Sequence, residues 1–320
     1  MRIHSDTDLL PNLQKYLPLI PEERLFHKAY GLKHPSAIYN TSFGKIEEAV
    51  RDFFHFYDSV VAQGFETREK DELPSMMKSY RHLLYALREH LDDSLHIAKA
   101  FIAPPANERP ERNQYLWLQF NAGNLVEDFY SEIADYKKYL DLSVNELKHN
   151  NAVFGGITFF ETDSNATHCS GYFIANVNDD CYEPVEKIHA RFHGTHTGFS
   201  FRRDLAYNIY NVYAVAEHLS MLLTEKLGLD LSTLSPKVVE APQNRRDLFQ
   251  KVMDMPRIHL PDEYLKQVPS VSLTNDGKLK LEYPSQLTIH PNRLRRIVLR
   301  HTGDGHTRTF RMLYAGGSNP

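Results

Sequence analysis

The chain is 320 residues long, 42% hydrophobic and 24% charged, with a formal net charge of -4 and a pI near 6.5. That hydrophobic content supports a sizeable core and excludes a disordered chain, and the slight acidity excludes the global basic excess that drives non-specific binding to nucleic acid or anionic membrane. The length is near the limit of a single core, so more than one structural part is expected.

The N-terminal stretch MRIHSDTDLLPNLQKYL has no uninterrupted apolar segment. Nowhere does the chain reach the roughly eighteen apolar residues of a membrane span. A soluble, unsecreted, cytoplasmic protein without a membrane partner is the expectation. Pro11, Pro18 and Pro21 punctuate residues 1–40, which read as short helices packed on the edge of a helical bundle.

From residue 41 to 228 four segments carry helical periodicity. The first places Ile46, Val50, Phe53, Tyr57 and Val60 on one face, and the second Tyr80, Leu84, Leu87, Leu91, Leu95 and Ala98. The third opens with Asn124 and Glu127 at capping-box spacing and continues through Phe129, Ile133, Tyr136, Leu140, Val144 and Leu147. The fourth runs from about Ser200 through Leu205, Ile209, Val212, Ala216 and Leu219 towards Gly228. Four apolar stripes that each need a partner predict a four-helix bundle.

Between the third and fourth helices the period changes to two. AVFGGITFFET and CSGYFIANVN predict a β-hairpin, and a turn near Asp179 leads to a candidate third strand in YEPVEKIHARF, giving a β insertion at about 152–193. In that register Cys169 lies opposite the region of Ile188 rather than Cys181, so two reduced thiols are expected. Residues 229–320 read as short helices, one around Arg246 to Met253, followed by a small antiparallel β unit with turns at Asn275-Asp276-Gly277 and Gly303-Asp304-Gly305. The fold class is therefore mainly α (α+β).

The stretch IHARFHGTHTGFSFRRD, residues 188–204, is the densest in chemistry. On a helix, His189, His193 and His196 share a face one turn after Glu186. On a strand, Lys187, His189, Arg191 and His193 form a solvated basic face instead. Glu146/His149 and Glu186/His189 are two E-x-x-H units, the arrangement that di-iron carboxylate bundles use twice. Arg293, Arg295, Arg296, Arg300, Arg308 and Arg311 are the strongest local basic cluster, suited to a phosphate backbone or an acidic protein surface. Arg202 and Arg203 fall in the first turn of the fourth helix, against its dipole, with Asp204 as the compensating acid. No glycine-rich phosphate loop, G-x-S-x-G elbow, paired C-x-x-C or H-E-x-x-H occurs.

Arg191, four residues, then His196 resembles the R-x4-6-H signature of HEPN-type helical ribonucleases, and Asn145-Glu146-Leu147-Lys148-His149 is similar to a stretch of some members. The resemblance covers residues 41–228 and implies metal-independent RNA cleavage across a dimer, with Arg191 holding the scissile phosphate and His196 doing acid/base work. Phe192 stands where that family usually has a polar residue, and the β insertion is a further departure. Three functions are therefore open. They are a binding or assembly protein with a protein partner or a homo-oligomer and no cofactor, a HEPN-like ribonuclease with RNA as partner, and a metal-dependent bundle enzyme.

Overall fold

The computed structural model describes residues 5–62, 72–150, 152–160, 167–178, 181–229, 231–234, 241–256, 259–266, 268–285, 296–301, 309–310 and 313–314. Chain order is β1 (Ser5–Thr7), α1 (Asn12–Tyr16), three short 3-10 turns, α2 (Pro35–Ala62), α3 (Leu73–Lys99), α4 (Gln114–Ala122) and α5 (Glu127–His149). Then come β2 (Val153–Phe160), β3 (Thr167–Asn178), β4 (Cys181–Pro184), β5 (Phe199–Ser200), α6 (Phe201–Met221), α7 (Gln243–Asp254), β6 (Val268–Leu273), β7 (Leu279–Ser285), β8 (Arg296–His301) and β9 (Thr309–Phe310).

The four expected stripes are the core. Val50, Phe53 and Tyr57 of α2, Leu84, Leu87 and Leu91 of α3, Ile133, Tyr136 and Leu140 of α5 and Leu205, Val212 and Leu219 of α6 are all buried in one apolar cluster. The first bundle helix begins at Pro35, inside the segment assigned to the N-terminal edge. The Asn124/Glu127 capping box does not form, because residues 123–126 make a 3-10 turn and Val126, without a side-chain bond, precedes α5. No helix among the described residues is long and apolar enough to cross a membrane.

The β insertion is larger than a hairpin. Its sheet has the order β8-β2-β3-β4-β9, with β5 beside β3, and every pairing is antiparallel except β4 with β9. The turn falls where expected, with Asn178 opposite Cys181, but β4 stops at Pro184 and Cys169 pairs with Phe159. Neither cysteine is in a disulfide. One sheet face sends Phe154, Tyr172 and Ile174 into the helical core; the other carries Ile157, Phe159, Cys169 and Phe173 beneath Leu260 and Leu313. Gly155 is required by that layer, since a Cβ there would lie 2.3 Å from Cζ of Phe173.

The expected C-terminal β unit is divided. β6 and β7 form a three-stranded sheet with β1, whereas β8 and β9 take the two edges of the inserted sheet. The physical reason is edge pairing: β2 and β4 would otherwise present unpaired backbone groups, and the C-terminal strands satisfy them.

Candidate functional site

Residues 188–204 form no helix before α6 begins at Phe201. Val185 to Ile188 is a turn, and Phe192 and Thr195 exchange both backbone hydrogen bonds at 2.9 Å around His193 and Gly194, whose φ values of 47° and 76° are those of a tight two-residue reversal. His189, His193 and His196 therefore do not share a helix face. Arg191 and His196 flank the reversal and meet at Glu183 of β4. His196 Nε2 is 3.2 Å and Arg191 Nη2 3.8 Å from Glu183 Oε1, and Arg191 Nε donates to Glu186. The structure thus brings the two residues of the expected catalytic pair onto one carboxylate, in a loop beside the sheet. His196 is buried, with Nδ1 lacking a hydrogen-bond partner, and burial followed by the Arg191 charge lowers its pKa against the pull of Glu183.

The metal set Glu146, His149, Glu186 and His189 is not assembled, and no group of three potential metal-binding side chains exists among the described residues. Oε2 of Glu146 accepts from Nδ2 of Asn150 at 2.9 Å and of Asn176 at 3.2 Å, His149 is exposed at the end of α5, and Glu186 is occupied with Arg191. His189 is fully buried, and its Nε2 accepts the backbone N–H of Ile174 at 2.9 Å. That bond explains the residue. β3 is paired by β4 up to Ala175 and by β5 at Gly171 and Tyr172, and the imidazole covers the donor left between them. Burial, with Lys266 and His196 nearby, takes its pKa down to about 3.

Of the basic cluster, Arg296 and Arg300 occupy β8 opposite Phe160 and Gly156. Arg293, Arg295, Arg308 and Arg311 lie outside the described residues.

The burial of Asp204 and the whole role of Glu263 were not visible in the sequence. Asp204 does not compensate the helix dipole alone. Its Oδ1 accepts from Tyr139 at 2.7 Å, and its Oδ2 from Tyr80 at 2.6 Å, Tyr172 at 2.8 Å and Nδ2 of Asn208 at 3.1 Å. Burial raises this carboxyl above its ordinary range while the three phenols and Arg203 oppose the rise. The acid at the start of α6 is Glu263, fully buried, which accepts from the Ser200 backbone at 2.8 Å, from Ser200 Oγ at 2.6 Å and from the Leu260 backbone at 2.9 Å. Each carboxylate ties several elements together. Tyr80, on the stripe of the second helix, was the only signal for Asp204, and nothing in the spacing pointed to Glu263. An apolar cavity of about 40 Å³ lies between α2, α3, α6 and α7, lined by Phe43, Leu83, Val212 and Leu248 among others.

The outward side of α4 has a different character. Trp117 and Leu118 face inward; Leu116 and Phe120, one turn apart, are 36% and 45% exposed. The helix is held firmly. Trp117 Nε1 donates to Glu108 at 2.7 Å, the Lys99 ammonium lies 3.8 Å from the Trp117 ring and 4.6 Å from that of Tyr30, and Asn113 caps the N-terminus. Arg109 lies over the Phe120 ring at 3.6 Å and pairs with Glu111 at 3.3 Å. Tyr115 stacks on Tyr130 beside them, with centroids 3.7 Å apart. Comparison of the chain with known protein families, with curated proteins and with solved structures gives no match.

Proposed function

We propose that this chain is a cytoplasmic binding and assembly protein that holds a protein partner through the outward face of α4. The observation that carries the reading is the exposed Leu116/Phe120 pair on a helix whose inner side is pinned by Trp117, Lys99 and Glu108. An apolar pair presented on a rigid frame loses little entropy on binding. The engagement of Asp204, Glu263 and His189 within the fold supports a structural use for these groups, and two reduced cysteines suit a reducing compartment. Side-chain oxidation footprinting tests the reading. Leu116 and Phe120 should be oxidised in dilute purified protein and protected in an extract of the producing cells, while exposed Leu19 and Met221 serve as references. Equal oxidation in both settings would overturn it.

A second reading, metal-independent RNA cleavage, is supported by the convergence of Arg191 and His196 on Glu183. Purified protein and its His196→Ala variant are compared on mixed-sequence RNA in excess EDTA. The assembly reading expects no cleavage by either. Cleavage by wild type that vanishes in the variant would replace it with the ribonuclease.

A further inference from the structure

Four helices close around the apolar cavity of about 40 Å³, with Val50 of α2, Leu83 of α3, Val212 of α6 and Leu248 and Val252 of α7 in its wall. Among the described residues that line it, only Glu47, Asn208 and Tyr213 carry polar side chains, and each is committed elsewhere. Asn208 Oδ1 accepts from the Tyr136 hydroxyl at 3.1 Å while its Nδ2 donates to Asp204 at 3.1 Å. The Tyr213 hydroxyl donates to the Leu9 carbonyl at 2.7 Å. Glu47 accepts from Nε and Nη2 of Arg245, whose Nη1 donates to the Leu9 carbonyl and to Gln14. A water molecule needs two to four polar partners, and this wall has none to spare. A carboxylate, phosphate or ammonium group would meet the same wall at a far larger desolvation cost.

We infer that this cavity is a binding site for a small uncharged hydrocarbon, separate from the α4 face and independent of what that face holds. Its volume is about three times the roughly 10–15 Å³ that one water-sized probe occupies, which sets the ligand at about three carbon atoms. Aliphatic and aromatic side chains facing such a gap lack contact atoms on one side, and a hydrocarbon restores those contacts without giving up hydrogen bonds to water. With so few atoms the dissociation constant is no tighter than about a millimolar. Entry requires only the local opening that the helices of a native core undergo.

Xenon, a single apolar atom, is the first probe, and its NMR chemical shift in solutions of the purified full chain is the measurement. The shift should move with protein concentration at least about twofold more steeply for wild type than for Val212→Ile or Val252→Ile, each of which adds one methyl group to a different wall. Val144→Ile, in the same apolar cluster but not on the cavity wall, should keep the wild-type slope. Saturating the buffer with propane should lower the wild-type slope towards that of the filled variants, while an excess of propionate, equally short but charged, should leave it unchanged. Thermal unfolding followed by the emission of Trp117, the only tryptophan, reports whether each variant is folded. The two filling variants should unfold no lower than wild type, because their added methyl groups enter free space. Should both fail to fold, the competition by propane and propionate on wild type decides alone. Equal slopes in wild type and both filled variants, no displacement by propane, or equal displacement by propionate would overturn the site.

Discussion

His189 gives a sharp prediction about stability and pH. Its imidazole is buried, accepts from Ile174, and has a pKa near 3, against an ordinary value near 6.5 in the unfolded chain. Below pH 6.5 the unfolded chain binds a proton that the folded chain refuses, so stability falls as pH falls towards 3. Between pH 8 and pH 5 the loss from this residue is about 2 kcal/mol, from a roughly thirtyfold excess protonation of the unfolded state. Replacing it with His189→Gln keeps an acceptor at the Nε2 position and removes the titration. The assay is urea unfolding followed by Trp117 emission at pH 8, 7, 6 and 5. Wild type should lose about 2 kcal/mol more than the variant over that range. The difference between the two proteins is the informative quantity, because His90 and His259, both down at about 4, act in the same direction while the raised carboxyls of Asp204 and Glu263 act in the opposite one. Parallel stability profiles would refute the reasoning and mean that His189 is solvated or charged in the folded protein.

Other substitutions probe the rest of the fold. Asp204→Asn sets amide N–H groups against phenol donors and should cost about 2–3 kcal/mol in urea unfolding, against about 1 kcal/mol for Tyr172→Phe, which removes one donor. Gly171→Ala places a Cβ 2.1 Å from the backbone oxygen of Phe199, which cannot give way. It should cost about 3 kcal/mol or more in thermal unfolding, exceeding Gly155→Ala, whose clash is with the Phe173 ring. Lys99→Met should cost about 1 kcal/mol and change Trp117 emission, while Lys99→Arg should retain most of the contact.

The bundle was legible because each long helix carries its apolar residues at steps of three and four, a pattern that survives any detail of packing. α4 was not. Tyr115, Leu116, Trp117, Leu118 and Phe120 leave hardly a polar side, and nine residues are too few for a period to emerge, so only the Asn113 cap marked it. Strand partners were equally hidden. Alternation identifies β8 as a strand, but whether its neighbour is β2 or β7 depends on edges left open by residues far away in the chain. At the site, sequence spacing paired Arg191 with His196, and the structure brings both to Glu183, a residue of β4 that no local pattern connects to their loop. Asp204 was read only as the acid offsetting Arg202 and Arg203, because the phenols of α3, α5 and β3 that converge on it and make its burial affordable are distant in the chain.

The placement of β8 and β9 on the two edges of the inserted sheet bears on how the protein is made. A ribosome delivers β2, β3 and β4 long before the strands that cover their edges, and β1 waits still longer for β7. The helical bundle can collapse early around local contacts, while the sheet remains an open template until β8 and β9 have been made. A truncated or stalled chain would therefore present bare strand edges next to Phe159 and Phe173, and aggregation of such fragments, rather than loss of helix, would be the first sign that synthesis had failed.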